Sequence, residues 1–463
     1  MTENDLKGKR IAVLGLGIEG TSVCNFLSFG SRITVFDEKN QSDFDKSELA
    51  RLKKKGVLFV FGEIKDLEDY DFIFRSPGIK PDHKSLLRAA EKGTVITSAT
   101  KLFFDLCPCP IIGVTGTKGK GTTSSLIYEM LKIQEIDAYL GGNIGTPPLS
   151  FLDNLKKDSV VVLEMSSFQL QDLSTSPHIA VILMTTQEHL APDKAQGSYQ
   201  NFHKDVYEYV DAKRNIFRFQ KASDFAIVNK DYPASNESDV ETVGKIYKVS
   251  REHTVDQGCF AKDGAIYLKI KGKEKKVMDA KDILLPGRHN LENVCAAIMA
   301  AVLGGAQLKS TVKVLKTFKG LEHRLELVKT VNGVRYYDDS FSTTPETAIA
   351  AIEAFDAPEI LLLGGASKNS DFTRLGQTIG SAKNIKAIIQ IGKEWEKIKE
   401  KIPNTKSIEI IEDCETMKDA VRRAAKIAKL GDVILLSPAC SSFDRFKNYK
   451  ERGNQFKEAV NRL

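Results

Sequence analysis

From Ile11 to Cys440, short runs of aliphatic and β-branched residues alternate with helical patterns, and that rhythm leaves few folds open. IAVLGLG (11–17), ITVFD (33–37), PIIGVTG (110–116), SVVVLEMSSF (159–168), IAVILMTT (179–186), FAIVN (225–229), EILLLGG (359–365), IKAIIQIG (385–392), IEIIED (408–413) and GDVILLSPAC (431–440) are such runs. Strands that are apolar throughout and separated by helices belong to parallel sheets covered on both faces, so the reading is α/β. A chain of 463 residues is too long for one domain and admits two to four. Proline-rich breaks at SPGIKP (76–81) and LCPCP (106–110) bound a first block, and a new strand pattern opens after Gly320. The expectation is three domains: a Rossmann-like domain at 1–98, a central P-loop ATPase-like parallel-sheet domain at 99–320, and a Rossmann-like α/β domain at 321–463. A lysine-rich hairpin-like region is expected near 260–278, and Asn332-Gly333 between two strand patterns reads as a tight hairpin turn.

Composition narrows the class. Apolar residues make up 42% and charged residues 28%, which is ordinary for a globular chain and excludes disorder. The net charge of +6 arises from 67 basic and 61 acidic residues without a dense basic block, which suits anionic small substrates and does not suggest a nucleic-acid partner. No apolar run reaches the length of about 20 residues that a membrane span needs, and MTENDLKGKR lacks a leader's apolar core, so a cytoplasmic chain is expected. The cysteines, Cys24, Cys107, Cys109, Cys259, Cys295, Cys414 and Cys440, are odd in number and without CxxC spacing, which argues against a disulfide framework or a zinc site. Cys107 and Cys109 flank a proline and read as linker residues.

The sharpest motif is GVTGTKGKGTTSSLIYEML (113–131), a strand running through a glycine-rich turn into an amphipathic helix. Successive N–H groups over Gly116, Thr117, Lys118, Gly119, Lys120, Gly121, Thr122 and Thr123 form a phosphate cradle, and Lys120 supplies a mobile positive charge. Gly121 follows the lysine where a hydroxyl normally meets magnesium, so Thr122 or a water takes that role. Parallel strands deliver their C-terminal ends to one edge, which brings Glu164, Glu188 and His189 toward the same crevice. Glu164 is a carboxylate suited to magnesium, although charged residues are common at strand ends. The N-terminal GLGIEG (15–20) with Asp37 at the end of the next strand satisfies a dinucleotide fingerprint. The same geometry suits the pyrophosphate of any nucleotide diphosphate, and a second nucleotide cradle argues against a dehydrogenase.

In order and over essentially the whole chain, these motifs resemble the Mur ligases, and SPACSSFDRFKNYKERGNQF (437–456) resembles the D-glutamate-adding branch. TGTKGKGTT is similar to the family's ATP loop, LEMSSFQL to its magnesium-glutamate segment, and GRHNLENVCAA to its adenine-side asparagine motif. EHR (322–324), DDSFSTTP (338–345) and GGASKNSDF (364–372) are similar to segments of its C-terminal domain. The resemblance implies that Lys120 contacts ATP phosphates, that Glu164 binds magnesium, and that His189 binds a second magnesium near the acyl acceptor. It implies that Lys213 is carbamylated and becomes an oxygen ligand of that second metal, whereas from the residues alone Lys213 is a helix-surface lysine. It places Asn290 and Asn293 near adenine, where the residues alone suggest helix caps, and Arg324 and Asp339 at the nucleotide, where they suggest an exposed ion pair. Thr343, Lys368, Ser442, Phe443 and Tyr449 align with the D-glutamate site, although Phe443 and Tyr449 equally suit a core. Gly17, Ile18, Glu19, Asp37, Ser76 and Gly78 align with the uridine diphosphate pocket, and Asn143, Ser166 and His189 with the rest of the UDP substrate. Glu19 stands where relatives carry a neutral hydroxyl residue, and Phe341 where many carry lysine.

The resemblance therefore implies an ATP-dependent, amide-bond-forming ligase of peptidoglycan precursors that uses two magnesium ions and acts as a monomer on small molecules. A folylpolyglutamate-synthase-like ligase and an inactive nucleotide sensor are the competing readings.

Overall fold

The computed structural model describes residues 1–27, 30–143, 145–186, 201–367, 370–403 and 408–463. They form two compact units: residues 1–280 with 292–314, and residues 281–291 with 315–463. Among the described residues no helix is long and apolar enough to cross a membrane.

The first unit contains two sheets. Residues 10–97 supply a five-stranded parallel sheet in the order Leu58–Phe61, Arg32–Asp37, Arg10–Leu14, Phe72–Arg75, Val95–Thr97. Its central strand Arg10–Leu14 is buried from Ile11 onward, as expected of a strand covered on both faces. The glycine turn that follows leads into the helix Ile18–Leu27.

The second sheet has nine strands from residues 111–279. Third from one edge is the strand Ile111–Thr115, paired on one side with Val160–Glu164 and on the other with Ile179–Ile182, all three buried throughout. That placement matters for chemistry, because the strand's exit loop is flanked by the exits of both neighbours. At the far edge, Gly258–Lys262, Ala265–Ile270 and Lys273–Asp279 pair antiparallel, which is the expected lysine-rich hairpin region. The last of these strands exposes Lys273, Glu274, Lys275 and Lys276, and charged residues on an edge strand discourage edge-to-edge pairing.

The second unit carries a six-stranded sheet. Its buried strands Glu359–Leu363, Ile385–Gln390 and Val433–Leu436 run parallel. Its edge hairpin, Glu326–Val331 with Val334–Asp338, turns at Asn332 and Gly333, both at positive φ (50° and 76°), the conformation a two-residue primed turn requires.

Candidate active site

The glycine loop between Thr115 and Lys120 leads into the helix Lys120–Lys132. Gly119, the residue before that helix, has φ 84°, and a Cβ there would strike the side-chain amide of Asn293. Asn293 is buried, and its Oδ1 lies 3.5 Å from the Thr123 hydroxyl, so this asparagine packs under the loop and the first helical turn. Thr117 anchors the loop from the other side. Its N–H donates to the Met184 carbonyl at 2.7 Å, its Oγ1 donates to the Thr186 carbonyl at 2.9 Å, and the Tyr209 hydroxyl lies 2.9 Å from the same Oγ1.

Lys120 folds back over this loop, its Nζ donating to the Gly116 and Thr117 carbonyls at 3.0 Å each. Lys213 approaches the Gly116 carbonyl as well, at 2.9 Å. Lys213 is only 2% exposed, which corrects the expectation of a surface lysine. Its helix, Val206–Arg218, turns Tyr209, Ala212, Lys213, Ile216 and Phe217 inward, and residues four apart share a face. The Tyr209 ring sits 4.5 Å from the Lys213 ammonium and touches the His203 ring edge-to-face. His203 in turn hydrogen-bonds the Ser167 hydroxyl at 2.9 Å.

On the neighbouring strand Glu164 is 3% exposed and accepts the Asn143 side-chain amide at 3.1 Å. The strand pairing sets Glu164 beside Val114, two residues before Gly116 opens the loop. Ser166 uses its hydroxyl to cap the short helix Ser167–Leu170, accepting the Gln169 N–H at 3.2 Å. Thr122 is half-buried in the first turn of the Lys120 helix. The expected Glu188 and His189 lie outside the described residues.

In the first sheet, Asp37 turns back on the glycine loop and accepts the N–H groups of Leu16 at 2.7 Å and Lys39 at 3.0 Å. The Ser76 hydroxyl donates to the Gly15 carbonyl at 3.3 Å. Gly17 and Ile18 line a 720 Å³ cavity with Leu16, Thr21, Phe44 and Pro147, and Ile18 is 76% exposed. Glu19, expected at the phosphate end of this helix, accepts the Gln169 amide at 2.6 Å from the short helix Ser167–Leu170. Burial raises its pKa, and its Oε2 has no hydrogen-bond partner, so Glu19 sits in the joint between the sheets instead of standing free at the helix start. Asn201 closes that joint from the other side, donating to the Pro77 and Gly78 carbonyls at 2.8 and 2.7 Å.

In the second unit Asn290 donates its side-chain amide to the Pro286 carbonyl at 2.6 Å, a local tie at the start of the helix His289–Leu303. Asp339 is buried and accepts the Ser437 hydroxyl at 2.9 Å and the Leu325 N–H at 3.2 Å. Burial pushes its pKa up to about 7. The Arg324 guanidinium lies over the Phe341 ring at 3.8 Å, and Phe341 meets Tyr449 edge-to-face at 5.0 Å. Arg324 and Asp339 are thus not the simple exposed ion pair that the residues alone suggest. Phe443 is 73% exposed and is no core residue, whereas Tyr449 packs on Phe341 and His323. Ser442 is buried and Thr343 half-buried, and Lys368 lies outside the described residues.

Several contributors escaped the sequence. Arg452 is buried and donates to the Ser340, Cys440 and Ser441 carbonyls and to the Ser340 hydroxyl, pinning two strand exits together. Burial lowers its pKa to about 10. His323 bonds Asp338 at 2.7 Å and, with Glu326, completes a cluster of metal-capable atoms. Those atoms are already committed, because Glu326 also accepts the His323 N–H and the Lys457 ammonium. Tyr209 was findable, since it precedes Lys213 by one helical turn; Asn201 and Arg452 carry no local signal.

The donor set fits magnesium in part. Glu164 offers a buried hard oxygen beside the loop and Thr122 a hydroxyl in the first turn. Lys213 as an ammonium is no ligand and joins such a set only after conversion to a carbamate.

Family models match the chain in three pieces: the Mur ligase MurD-like N-terminal domain over residues 9–98, the Mur ligase middle domain over 114–301, and the Mur ligase glutamate ligase domain over 323–440. The UDP-N-acetylmuramoylalanine–D-glutamate ligase of Acetivibrio thermocellus is 39% identical, covering 99% of this chain and 97% of that protein. The ligase of the same name from Clostridium tetani is 37% identical over 98% of this chain and 97% of its own length. Among solved structures, MurF ligase from Thermotoga maritima in complex with ADP superposes with a TM-score of 0.56 at 17% identity, over 100% of this chain and 97% of that one. MurF from Acinetobacter baumannii gives 0.60 at 15% identity, over 97% and 93%.

Proposed function

This chain belongs to the Mur ligase family, and from that membership we propose that it joins D-glutamate to UDP-N-acetylmuramoyl-L-alanine at the expense of ATP, in peptidoglycan precursor synthesis. The products are UDP-N-acetylmuramoyl-L-alanyl-D-glutamate, ADP and phosphate.

A carboxylate and an amine do not condense in water, because oxide is too poor a leaving group. The L-alanyl carboxylate therefore takes the γ-phosphoryl group of ATP, and the D-glutamate amine then displaces phosphate from the acyl phosphate. Phosphoryl transfer of this kind depends on positioning and charge neutralisation. With the Thr117 N–H held by Met184 and the Thr123 N–H by Gly119, the N–H groups from Lys118 to Thr122 are left to receive the phosphate oxygens, and Lys120 exchanges its loop carbonyls for the γ-phosphate. Asn293 holds the loop from beneath. Glu164 and Thr122 are the described residues that would hold magnesium, which when bound would neutralise phosphate charge. Carbamylated Lys213, with His189, would hold a second ion.

Gly17, Ile18, Asp37, Ser76 and Gly78 serve the UDP end, and Asn143 and Ser166 the sugar-peptide end. In the second unit Asn290, Arg324 and Asp339 serve the nucleotide, while Thr343, Lys368, Ser442, Phe443 and Tyr449 receive D-glutamate. The observation that carries this reading is the meeting of Lys120 and Lys213 at one loop carbonyl, one strand away from Glu164. The test is phosphate release from the purified protein. Release that requires ATP, UDP-N-acetylmuramoyl-L-alanine and D-glutamate together is expected; nucleotide binding without turnover, or release that ignores D-glutamate, overturns the assignment.

A further inference from the structure

Five of the seven cysteines are buried, and only Cys107 and Cys109 are partly exposed. Their Sγ atoms are 3.6 Å apart, in van der Waals contact across Pro108, and Cys107 Sγ also lies 3.5 Å from the Cys109 carbonyl oxygen. Both thiols line a 570 Å³ surface groove together with Phe104, Pro177, His178 and Lys221, so a small reagent reaches them without unfolding the chain.

We propose that Cys107 and Cys109 are a redox-active dithiol, a modification site that low-molecular-weight disulfides convert into an intrachain Cys107–Cys109 bond. The Cys107 thiolate attacks one sulfur of the small disulfide, a mixed disulfide forms, and one small thiolate leaves. The Cys109 sulfur, giving its proton to water, then attacks the Cys107 sulfur and the second small thiolate departs. Two protein thiols have lost two electrons and two protons, and one small disulfide has become two thiols.

The order of attack follows from the contact: the Cys109 S–H stabilises a Cys107 thiolate, which lowers the Cys107 pKa and raises that of Cys109. Position gives the modification its reach. Cys107 ends the helix Ala99–Leu106, its N–H donating to the Phe103 carbonyl at 2.8 Å. Pro110, whose carbonyl accepts the Val161 N–H at 3.0 Å, opens the strand that feeds the glycine loop. A Cys107–Cys109 bond therefore stiffens the segment that connects the helix Ala99–Leu106 to the strand Ile111–Thr115.

The full-length protein is incubated with oxidised glutathione or with dithiothreitol, alkylated in the native state, and digested with trypsin. Residues 102–118 leave as one peptide holding both cysteines and no other. After reduction it is expected to carry two alkyl groups; after oxidation it carries none and is two hydrogens lighter than the free dithiol. Cys109→Ser is expected to stop at a mixed disulfide on Cys107, and Cys107→Ser to react at Cys109 at least about 10-fold more slowly than the wild-type pair. A native thiol titration of the wild type, falling from two reactive thiols to none, gives the same answer without variants. A persistent mixed disulfide in the wild type, two alkyl groups surviving oxidation, or undiminished reactivity in Cys107→Ser overturns the proposal. No readout depends on turnover, so this site and the ligase reading fail independently.

Discussion

Lys120 and Lys213 share one acceptor: both ammonium groups donate to the carbonyl of Gly116, at 3.0 and 2.9 Å. Ninety-odd residues separate them in the chain, and like charges brought to one carbonyl repel each other. Phosphate at the loop would relieve the first, and carbamylation would invert the second.

Lys213→Ala is expected to abolish phosphate release, and short carboxylic acids such as acetate or formate are expected to restore part of it by supplying the lost oxygens. The check is turnover with and without added acid. An active variant, or one that no acid rescues while ATP binding stays intact, removes the carbamate from the site.

Tyr209→Phe deletes the hydroxyl that meets Thr117 Oγ1 at 2.9 Å but keeps the ring beneath Lys213. One neutral hydrogen bond is worth about 1 kcal/mol, so KM for ATP should rise roughly 5-fold while the fold holds. Steady-state kinetics alongside a melting curve decide it; unchanged KM would show that the loop does not need this anchor.

Gly119→Ala forces a β-carbon into a left-handed position already closed by Asn293. The conformational cost alone is about 1–2 kcal/mol, before the clash is counted. Urea unfolding should show the loss, and nucleotide affinity should fall with it. Pairing Gly119→Ala with Asn293→Ala should recover part of the stability, which separates the clash from the backbone cost.

Phe341→Ala removes the ring under the Arg324 guanidinium. A cation–π contact at an exposed site is worth about 0.5–1 kcal/mol, so a 2- to 5-fold rise in KM for ATP is expected with kcat little changed. A variant indistinguishable from wild type would leave the stacking without consequence for the nucleotide.

Glu359 is buried at the start of its strand, with Asn384 donating to Oε1 and nothing to Oε2, and burial raises its pKa to about 9. The folded state holds this proton more tightly than the unfolded chain, so the stability it contributes is present below about pH 4.5 and drains away as pH rises toward 9. Glu359→Gln carries no such penalty. Its melting temperature should exceed the wild type's increasingly from pH 6 to pH 9 and converge with it near pH 4.5, and parallel curves would refute the buried proton.

How much was legible follows from what kind of information each residue carries. Continuous apolar runs such as VVVLE and EILLL announce strands covered on both faces, because only a parallel sheet between helices buries every side chain of a run. Asn332-Gly333 announces its turn, because both residues tolerate positive φ. GTKGKGTT announces a phosphate loop, because strand, glycine turn and helix start are contiguous in the chain. Those features are local, and the sequence by itself determined them.

Only the tertiary structure decided which side chains the loop meets. Lys213, Tyr209 and Asn293 reach it from remote helices, Glu19 is drawn into the joint by Gln169, and Arg452 fastens two strand exits that are far apart in the chain. No spacing rule encodes such meetings. They depend on how helices seat against a sheet, and that is set by the summed burial of many apolar residues, none of which belongs to the site.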